Sequence, residues 1–431
     1  MRSFLIFLAC PWLLLGCHAN PGEVADAAML DAGNGDAASA LALTLDTSAV
    51  TPPSGSFEQT EPAIAVSADG VLVVTWLDLE ANWALGYAFS HDHGASWGPS
   101  QLVTLPANLY ASNETVQADA DGNFHVMVLG VDHSDDVEHV LTAEAPAGTD
   151  RFGETLEVSD ETLAVPRDAP AFVVASDGSL NVDWTEYTAH LVTSSIIAAR
   201  SVDEGATWTR TPSLSADTDQ VAWPNLCASK TGGQLTAIFE NEYGVGMRWS
   251  TDNGATWPVA NSNVLQYPGV PGEFPSCLQK GRDLWIMQGM AMHSASTAYE
   301  PVDDTIQLVH SGDGGFTFDP AVAAQDPAAG SAYMHPMGAF QFDGSISLIY
   351  YAGNGMDDTT ASVRYSRSVD GGKTFLPSRT VFSPMTLTTS RVSLGWLGDL
   401  LGVTADTDTL FTGYVNNASG ASQVRVARLL P

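Results

Sequence analysis

Along most of this chain, hydrophobic residues either alternate with polar ones or gather in short, wholly apolar runs rich in β-branched and aromatic side chains. These are the patterns of half-buried and fully buried strands. The segments "AIAVSADGVLVVTWLD", "AFVVASDGSLNVDWTE" and "QFDGSISLIYYAG" each set two such runs on either side of an Asp-Gly pair, which predicts a β-hairpin. A third run leads into a different turn: "WALGYAF" precedes Ser90 and "ASVRYSR" precedes Ser368. A fourth run follows that turn.

The second turn is repeated. Five segments fit S-x-D-x-G-x-[ST]-[WF], namely "SHDHGASW", "SVDEGATW", "STDNGATW", "SGDGGFTF" and "SVDGGKTF", and their aspartates are Asp92, Asp203, Asp252, Asp313 and Asp370. These lie 111, 49, 61 and 57 residues apart, so the first interval hides a unit without the box. Its remnant is "APAGTDRF" at 145 to 152, which keeps a Gly and an aromatic. A second mark runs in step, because Pro62, Pro170 and Pro336 each precede the Asp of an Asp-Gly turn (Asp69, Asp177, Asp343) by seven residues.

Each unit therefore reads as a four-stranded antiparallel sheet, and repeated sheets of this size predict an all-β fold, a β-propeller. Seven blades start near Gln59, Ser112, Arg167, Trp223, Phe274, His335 and Gly398; six blades with an irregular extra piece is the alternative. The last unit has only three strands before the chain ends. The missing outer strand is expected from the N-terminal "LALTLDTSAV", which would close the ring and remove a free edge. In the box, the Asp is expected to accept backbone N–H bonds across the turn, the Gly to take positive φ and the aromatic to pack between blades. Five identical turns suit five identical folding problems, so the box reads as a structural clasp.

Composition narrows the setting. A chain of 431 residues that is 45% apolar can bury a large core, which excludes disorder of the whole. The net charge of −34, from 50 acidic against 16 basic residues, repels phosphate backbones and makes nucleic acid a poor partner. "MRSFLIFLACPWLLLGC" reads as a secretory signal, too short and wrongly flanked for a spanning helix. Its end, Leu14-Leu15-Gly16-Cys17, resembles the bacterial lipobox, which implies lipidation at Cys17. Residues 1–17 are thus expected to be a lipoprotein signal, 18–41 an Ala/Gly/Asp-rich tether and 42–431 the propeller. By the same resemblance the address is the bacterial cell envelope, lipid-anchored at the outer membrane, since no Asp follows Cys17. Cys227 and Cys277 remain, at corresponding places in consecutive repeats, and a bond between them is expected in an oxidising compartment.

The five boxes resemble the Asp-box, or BNR, repeats of the sialidase-like propellers, over about residues 55 to 431. Propeller ligands meet the face where the innermost strands begin, which implies a ring of Glu61, Glu114, Arg167, Asp168, Trp223, Asn225, Glu273, His335 and Asp399. The resemblance also implies what an active sialidase needs: three arginines on the substrate carboxylate, a Tyr nucleophile paired with Glu, and an Asp acid/base. This chain departs at the first arginine, reading Thr60-Glu61-Pro62 where that family has Arg-Ile-Pro. The substitutes are Arg167 and Asp168 in "VPRDAPA", Glu240 and Tyr243 in "FENEYG", and Arg248 and Arg391. Elsewhere, His91 and His93 flank a box Asp, and "DADGNFH" starts like a Ca²⁺ loop but lacks its closing Glu. No cofactor is expected, and no specific motif supports Ca²⁺. The reading is a monomeric, surface-anchored, non-catalytic propeller that meets the membrane through its anchor alone and binds a glycan or protein. The alternative is a sialidase-like exo-glycosidase with a rearranged site, two of Glu61, Asp168, Glu240 and Asp399 serving as acid and base or nucleophile.

Overall fold

A computed structural model describes residues 44–49, 58–132, 137–159, 165–188, 193–215, 221–241, 244–266, 270–271, 274–291, 305–354, 360–386 and 396–430. Its strands form seven separate antiparallel sheets arranged as the blades of a propeller. Blade 1 comprises Gln59–Val66, Leu72–Asp78, Ala84–Ser90 and the short outer strand Gln101–Leu102. Blades 2, 3, 4 and 6 repeat that order, their innermost strands being Leu109–Ala118, Arg167–Val174, Val221–Ala228 and Ala332–Phe340. In blade 5 two pieces, Val270–Pro271 and Ser276–Lys280, pair with the same second strand, Asp283–Ala291. Blade 7 takes Gly402–Ala405, Leu410–Asn416 and Gln423–Leu430 from the C-terminal end, and its outer strand is Thr44–Ala49. That strand pairs with Gln423–Leu430 from Thr44↔Leu430 to Ala49↔Arg425, so the two ends of the propeller are hydrogen-bonded to each other.

Adjacent blades share apolar clusters, and successive residues of a strand serve opposite neighbours because side chains alternate. In blade 1, Leu72, Val74 and Trp76 pack with blades 6 and 7, whereas Val73 and Leu77 pack with blade 2. Trp76, Trp184 and Trp396 are completely buried. Burial on both faces explains why the second strands read as unbroken apolar runs rather than alternating ones.

All five boxed turns share one hydrogen-bond pattern. In the first, the Ser90 hydroxyl donates to Asp92 Oδ1 at 2.9 Å and accepts from the Gly94 amide at 2.8 Å; Ser96 donates its amide to Oδ1 at 2.8 Å and its hydroxyl to Oδ2 at 2.6 Å. The same bonds recur around Asp203, Asp252, Asp313 and Asp370. In blade 2 the remnant turns without a clasp, Thr149 N donating to Pro146 O at 2.9 Å while Phe152 keeps the buried aromatic place.

The clasps titrate. Hydrogen bonds led by the Ser96 hydroxyl hold the Asp92 carboxyl at about 2, and those led by Thr317 do the same for Asp313. A carboxyl lowered on folding contributes stability above its unfolded pKa of about 3.9, and that contribution is lost as pH falls through the folded value. Asp92→Ala is therefore expected to lower the calorimetric melting point by about 1–3 °C at pH 7 and by much less at pH 2. An equal loss at both pH values would mean that the ionised clasp is not what the substitution removes.

Candidate functional site

The innermost strands all begin on one face of the ring, here the front face; their hairpins to the second strands, and the boxed turns, lie on the opposite, rear face. On the front face five innermost strands carry the same irregularity. Glu61, Asn113, Ala169, Trp223 and His335 have φ of +51°, +39°, +49°, +51° and +51°, and the register slips at each of these places. In four of them the next residue is proline (Pro62, Pro170, Pro224, Pro336), which has no N–H to give to the ladder, so the strand bulges rather than leave a gap. The prolines that mark the repeat are bulge markers. A left-handed conformation costs a bulky residue such as Trp223 about 1–3 kcal/mol, and strain of this kind collects at functional places.

The bulges build a mouth with two characters. Across blades 7, 1 and 2 it is carboxylic: Glu61 and Glu114 are completely buried, and no hydrogen-bond partner meets either Glu114 oxygen. Burial, and after it the charge of Glu61, pushes the Glu114 carboxyl well above the usual carboxylate range. Gly398, at φ +84°, lies directly against Glu61, for a Cβ there would come 2.4 Å from Thr60 Oγ1 and 2.5 Å from Glu61 Cγ. Asp399 follows it and is buried. Across blades 4 and 5 the mouth is aromatic. The half-buried rings of Trp223 and Phe274 meet edge to face with centroids 4.3 Å apart, and Asn225 is half-buried beside them in the same strand. Between the two regions, Asp168 is half-buried and accepts the Ala169 amide at 2.8 Å, and the buried His335 packs against Tyr351 at 5.7 Å.

The remaining candidates are committed elsewhere. The Arg167 side chain is fully buried between blades 2 and 3, where its Nη1 donates to the Glu138 carbonyl at 2.6 Å and its Nε lies 3.7 Å from Glu186 Oε2. Arg248 Nε donates to the Leu214 carbonyl. Glu240 is buried and accepts from Gln288 Nε2 at 2.5 Å across the boundary of blades 4 and 5. His91 bonds Asp150 at 2.8 Å and His93 lies 3.4 Å from Asp406, so the two histidines face different partners. Asp119 caps its own hairpin, accepting the Asn123 amide at 2.9 Å and contacting His125 at 3.0 Å. Among the described residues no group of three or more His, Cys, Asp or Glu is placed to hold a metal ion. Cys227 and Cys277 are joined, their Cα atoms 5.8 Å apart. Cys17, Tyr243, Glu273 and Arg391 lie outside the described residues.

This architecture has relatives among solved structures. A lectin from Burkholderia pseudomallei matches at a TM-score of 0.61 and 13% identity, over 87% of this chain and 97% of the lectin. An α-L-arabinofuranosidase from Fusarium graminearum, solved with an iminosugar inhibitor, matches at 0.51 and 11% identity, over 88% and 96% of the two chains. What these likenesses share with this chain is the β-propeller fold. A Trypanosoma rangeli sialidase in complex with sialic acid also matches at 0.51 and 13% identity, over 89% of this chain but only 56% of its own. No protein-family profile matches the sequence, and neither does any characterised protein. Identities this low establish the propeller and leave activity to the site itself.

Sequence reasoning missed several front-face residues. Trp83 and Tyr110 sit with ring centroids 6.3 Å apart, and Trp83 lies 6.4 Å from Trp396, making a second aromatic group beside the acidic sector. Phe274 was legible as a blade start but not as the partner of Trp223. The available signal was the aromatic-Pro pairs of "AWPN" and "EFPS", at the starts of consecutive blades, the first of which places Trp223 immediately before a bulge proline.

Proposed function

We propose that this chain is a non-catalytic propeller, held at the bacterial cell envelope by lipid on Cys17, that binds a glycan through its front face. The observation that carries the reading is the half-buried Trp223–Phe274 pair, with Trp223 at a strained bulge and the half-buried Asn225 in the same strand. Apolar ring faces with a few fixed polar groups are what a sugar requires, because one side of a pyranose is C–H and its rim is hydroxyl. The fold shared with a bacterial lectin agrees with this use. Arg167 is the arginine the resemblance would place on a substrate carboxylate, and its contacts with Glu138 and Glu186 hold it between blades instead. That favours uncharged sugars over sialosides.

Trp223→Ala is expected to weaken binding of its best glycan on an array at least tenfold, with the melting point within about 3 °C of the parent. Unchanged binding would place the ligand elsewhere. A second reading is favoured by the neighbouring Glu61 and Glu114: a carboxyl that burial and an adjacent carboxylate push well above the usual range is the kind of group a glycoside hydrolase uses as its acid. Hydrolysis of any member of a fluorogenic panel of neutral, acidic and sialic glycosides, abolished by Glu114→Gln, would replace the binding reading with this one.

A further inference from the structure

The rear face differs from the front in what it exposes. The four most exposed large hydrophobic residues among the described ones are Phe342 at 81%, Val202 at 71%, Val369 at 66% and Phe316 at 58%, and all four occupy rear-face turns. Three of them belong to blades 5 and 6. The charge is equally uneven. The whole chain has only three lysines, Lys230, Lys280 and Lys373, and each is exposed at a rear-face turn, in blades 4, 5 and 6 respectively. The exposed Arg282 stands in the same sector, its guanidinium 5.5 Å from the Trp249 ring, against whose edge Phe316 packs at 6.1 Å. These turns form one surface: the Gly281 amide donates to Ser229 Oγ at 2.8 Å, Trp285 Nε1 donates to Gly371 O at 2.8 Å, and Lys280 Nζ lies 3.9 Å from where a side chain on Gly344 would begin. Acidic groups here are the clasp residues Asp252, Asp313 and Asp370, with Asp343 paired to Arg367 and with Asp283 and Asp319 both on His310. In a protein of charge −34, this sector is where positive and negative side chains come close to balance.

The chain also enters the fold from this side. Gln423–Leu430 runs from front to rear, since Ser422, just before it, accepts the amide of Gln59 at the front. Thr44 pairs with Leu430 at the rear end, so the segment carrying Leu14-Leu15-Gly16-Cys17 joins the propeller at its rear face.

We propose that the rear face of blades 4 to 6 rests on an anionic lipid surface, leaving the front face turned away from the membrane. Phe342, Phe316 and Val369 insert among the headgroups while Lys230, Lys280, Lys373 and Arg282 meet phosphate oxygens, the combination by which amphipathic surfaces hold to charged bilayers. Elsewhere the acidic surface is repelled by the same lipids, which fixes the orientation. The proposal is independent of what the front face binds.

The test is amide hydrogen exchange of the full chain with vesicles of phosphatidylcholine containing about a third phosphatidylglycerol. Exchange at residues 229–233, 279–282, 341–345 and 369–373 is expected to slow at least about fivefold, while the rear-face turns of blades 1 and 2, at 67–71 and 119–123, stay unchanged. The double variant Phe342→Ser, Lys280→Glu should abolish the slowing and keep the parent's melting point. No slowing, or equal slowing around the whole rear face, would overturn the proposal. The same effect on phosphatidylcholine alone would overturn the choice of an anionic surface. Slowing that grows with protein concentration in the absence of vesicles would assign the face to a second copy of the chain.

Discussion

Replacing Cys227 and Cys277 together by serine is expected to lower the stability of the propeller by about 2–4 kcal/mol, the upper figure following from the chain entropy of closing a loop of 50 residues. The two cysteines sit on the innermost strands of blades 4 and 5, and the blade they secure is the irregular one. Its innermost edge is divided between Val270–Pro271 and Ser276–Lys280, so no single continuous strand closes it toward the centre. The bond ties this strand to the continuous Val221–Ala228 of blade 4. Denaturant titration of the oxidised and reduced parent should give the same difference as parent against double variant. Equal midpoints for all three would show that the blade boundary is held by packing alone. Because each cysteine closely follows one of the paired aromatics, Cys227 after Trp223 and Cys277 after Phe274, loss of the bond should also weaken the proposed glycan binding severalfold before the fold is lost. A persistent disulfide in turn requires an oxidising compartment, which the proposed envelope location would supply.

The blades were legible because each is closed by local chemistry that recurs in the sequence. An Asp that accepts three amide or hydroxyl bonds within a turn, a Gly at positive φ and an Asp-Gly hairpin are all decided within eight residues. Blade 7 was legible for the opposite reason, since three strands at the C-terminal end leave an edge that a β-rich segment at the N-terminal end can cover, as Thr44–Ala49 does. The site was legible only as positions. Pro62, Pro170 and Pro336 marked the repeat, and with the blade starts they gave Glu61, Trp223 and His335 as positions, but neither the bulges nor which way the neighbouring side chains lie. Arg167 shows the difference. In the sequence it stands where a ligand-binding arginine is wanted, yet alternation along the strand turns it between blades to Glu138 and Glu186 and leaves Asp168 at the mouth. Asp183 left no signal at all, because one acidic residue in an apolar run looks the same whether it is exposed or sealed.

That residue supports the second large prediction. Asp183 is completely buried in the second strand of blade 3, both its oxygens lack hydrogen-bond partners, and burial pushes its carboxyl well above the usual range. It pairs with Ala171, the first residue past the bulge; the residues at that place in blades 1, 2, 4 and 6 are Thr75, Val128, Ile238 and Ile349. The site therefore accepts a β-branched apolar side chain, and Asp183→Val is expected to stabilise the protein by about 1–3 kcal/mol at pH 8. The sign follows from linkage. With the folded pKa above the unfolded value of about 3.9, the folded state holds the extra proton, so stability falls as pH rises through that window and the gain from Val grows with pH. A loss of stability at every pH would mean that the carboxyl is held by a partner. Glu114 obeys the same physics at the mouth of the ring, and Glu114→Gln, which removes the repulsion with Glu61, should likewise flatten the fall in stability above pH 4. The two residues part company in function. Asp183→Val should leave glycan binding untouched, whereas Glu114→Gln should gain stability and lose binding severalfold, the trade expected of a group kept in an unfavourable place for what it does there.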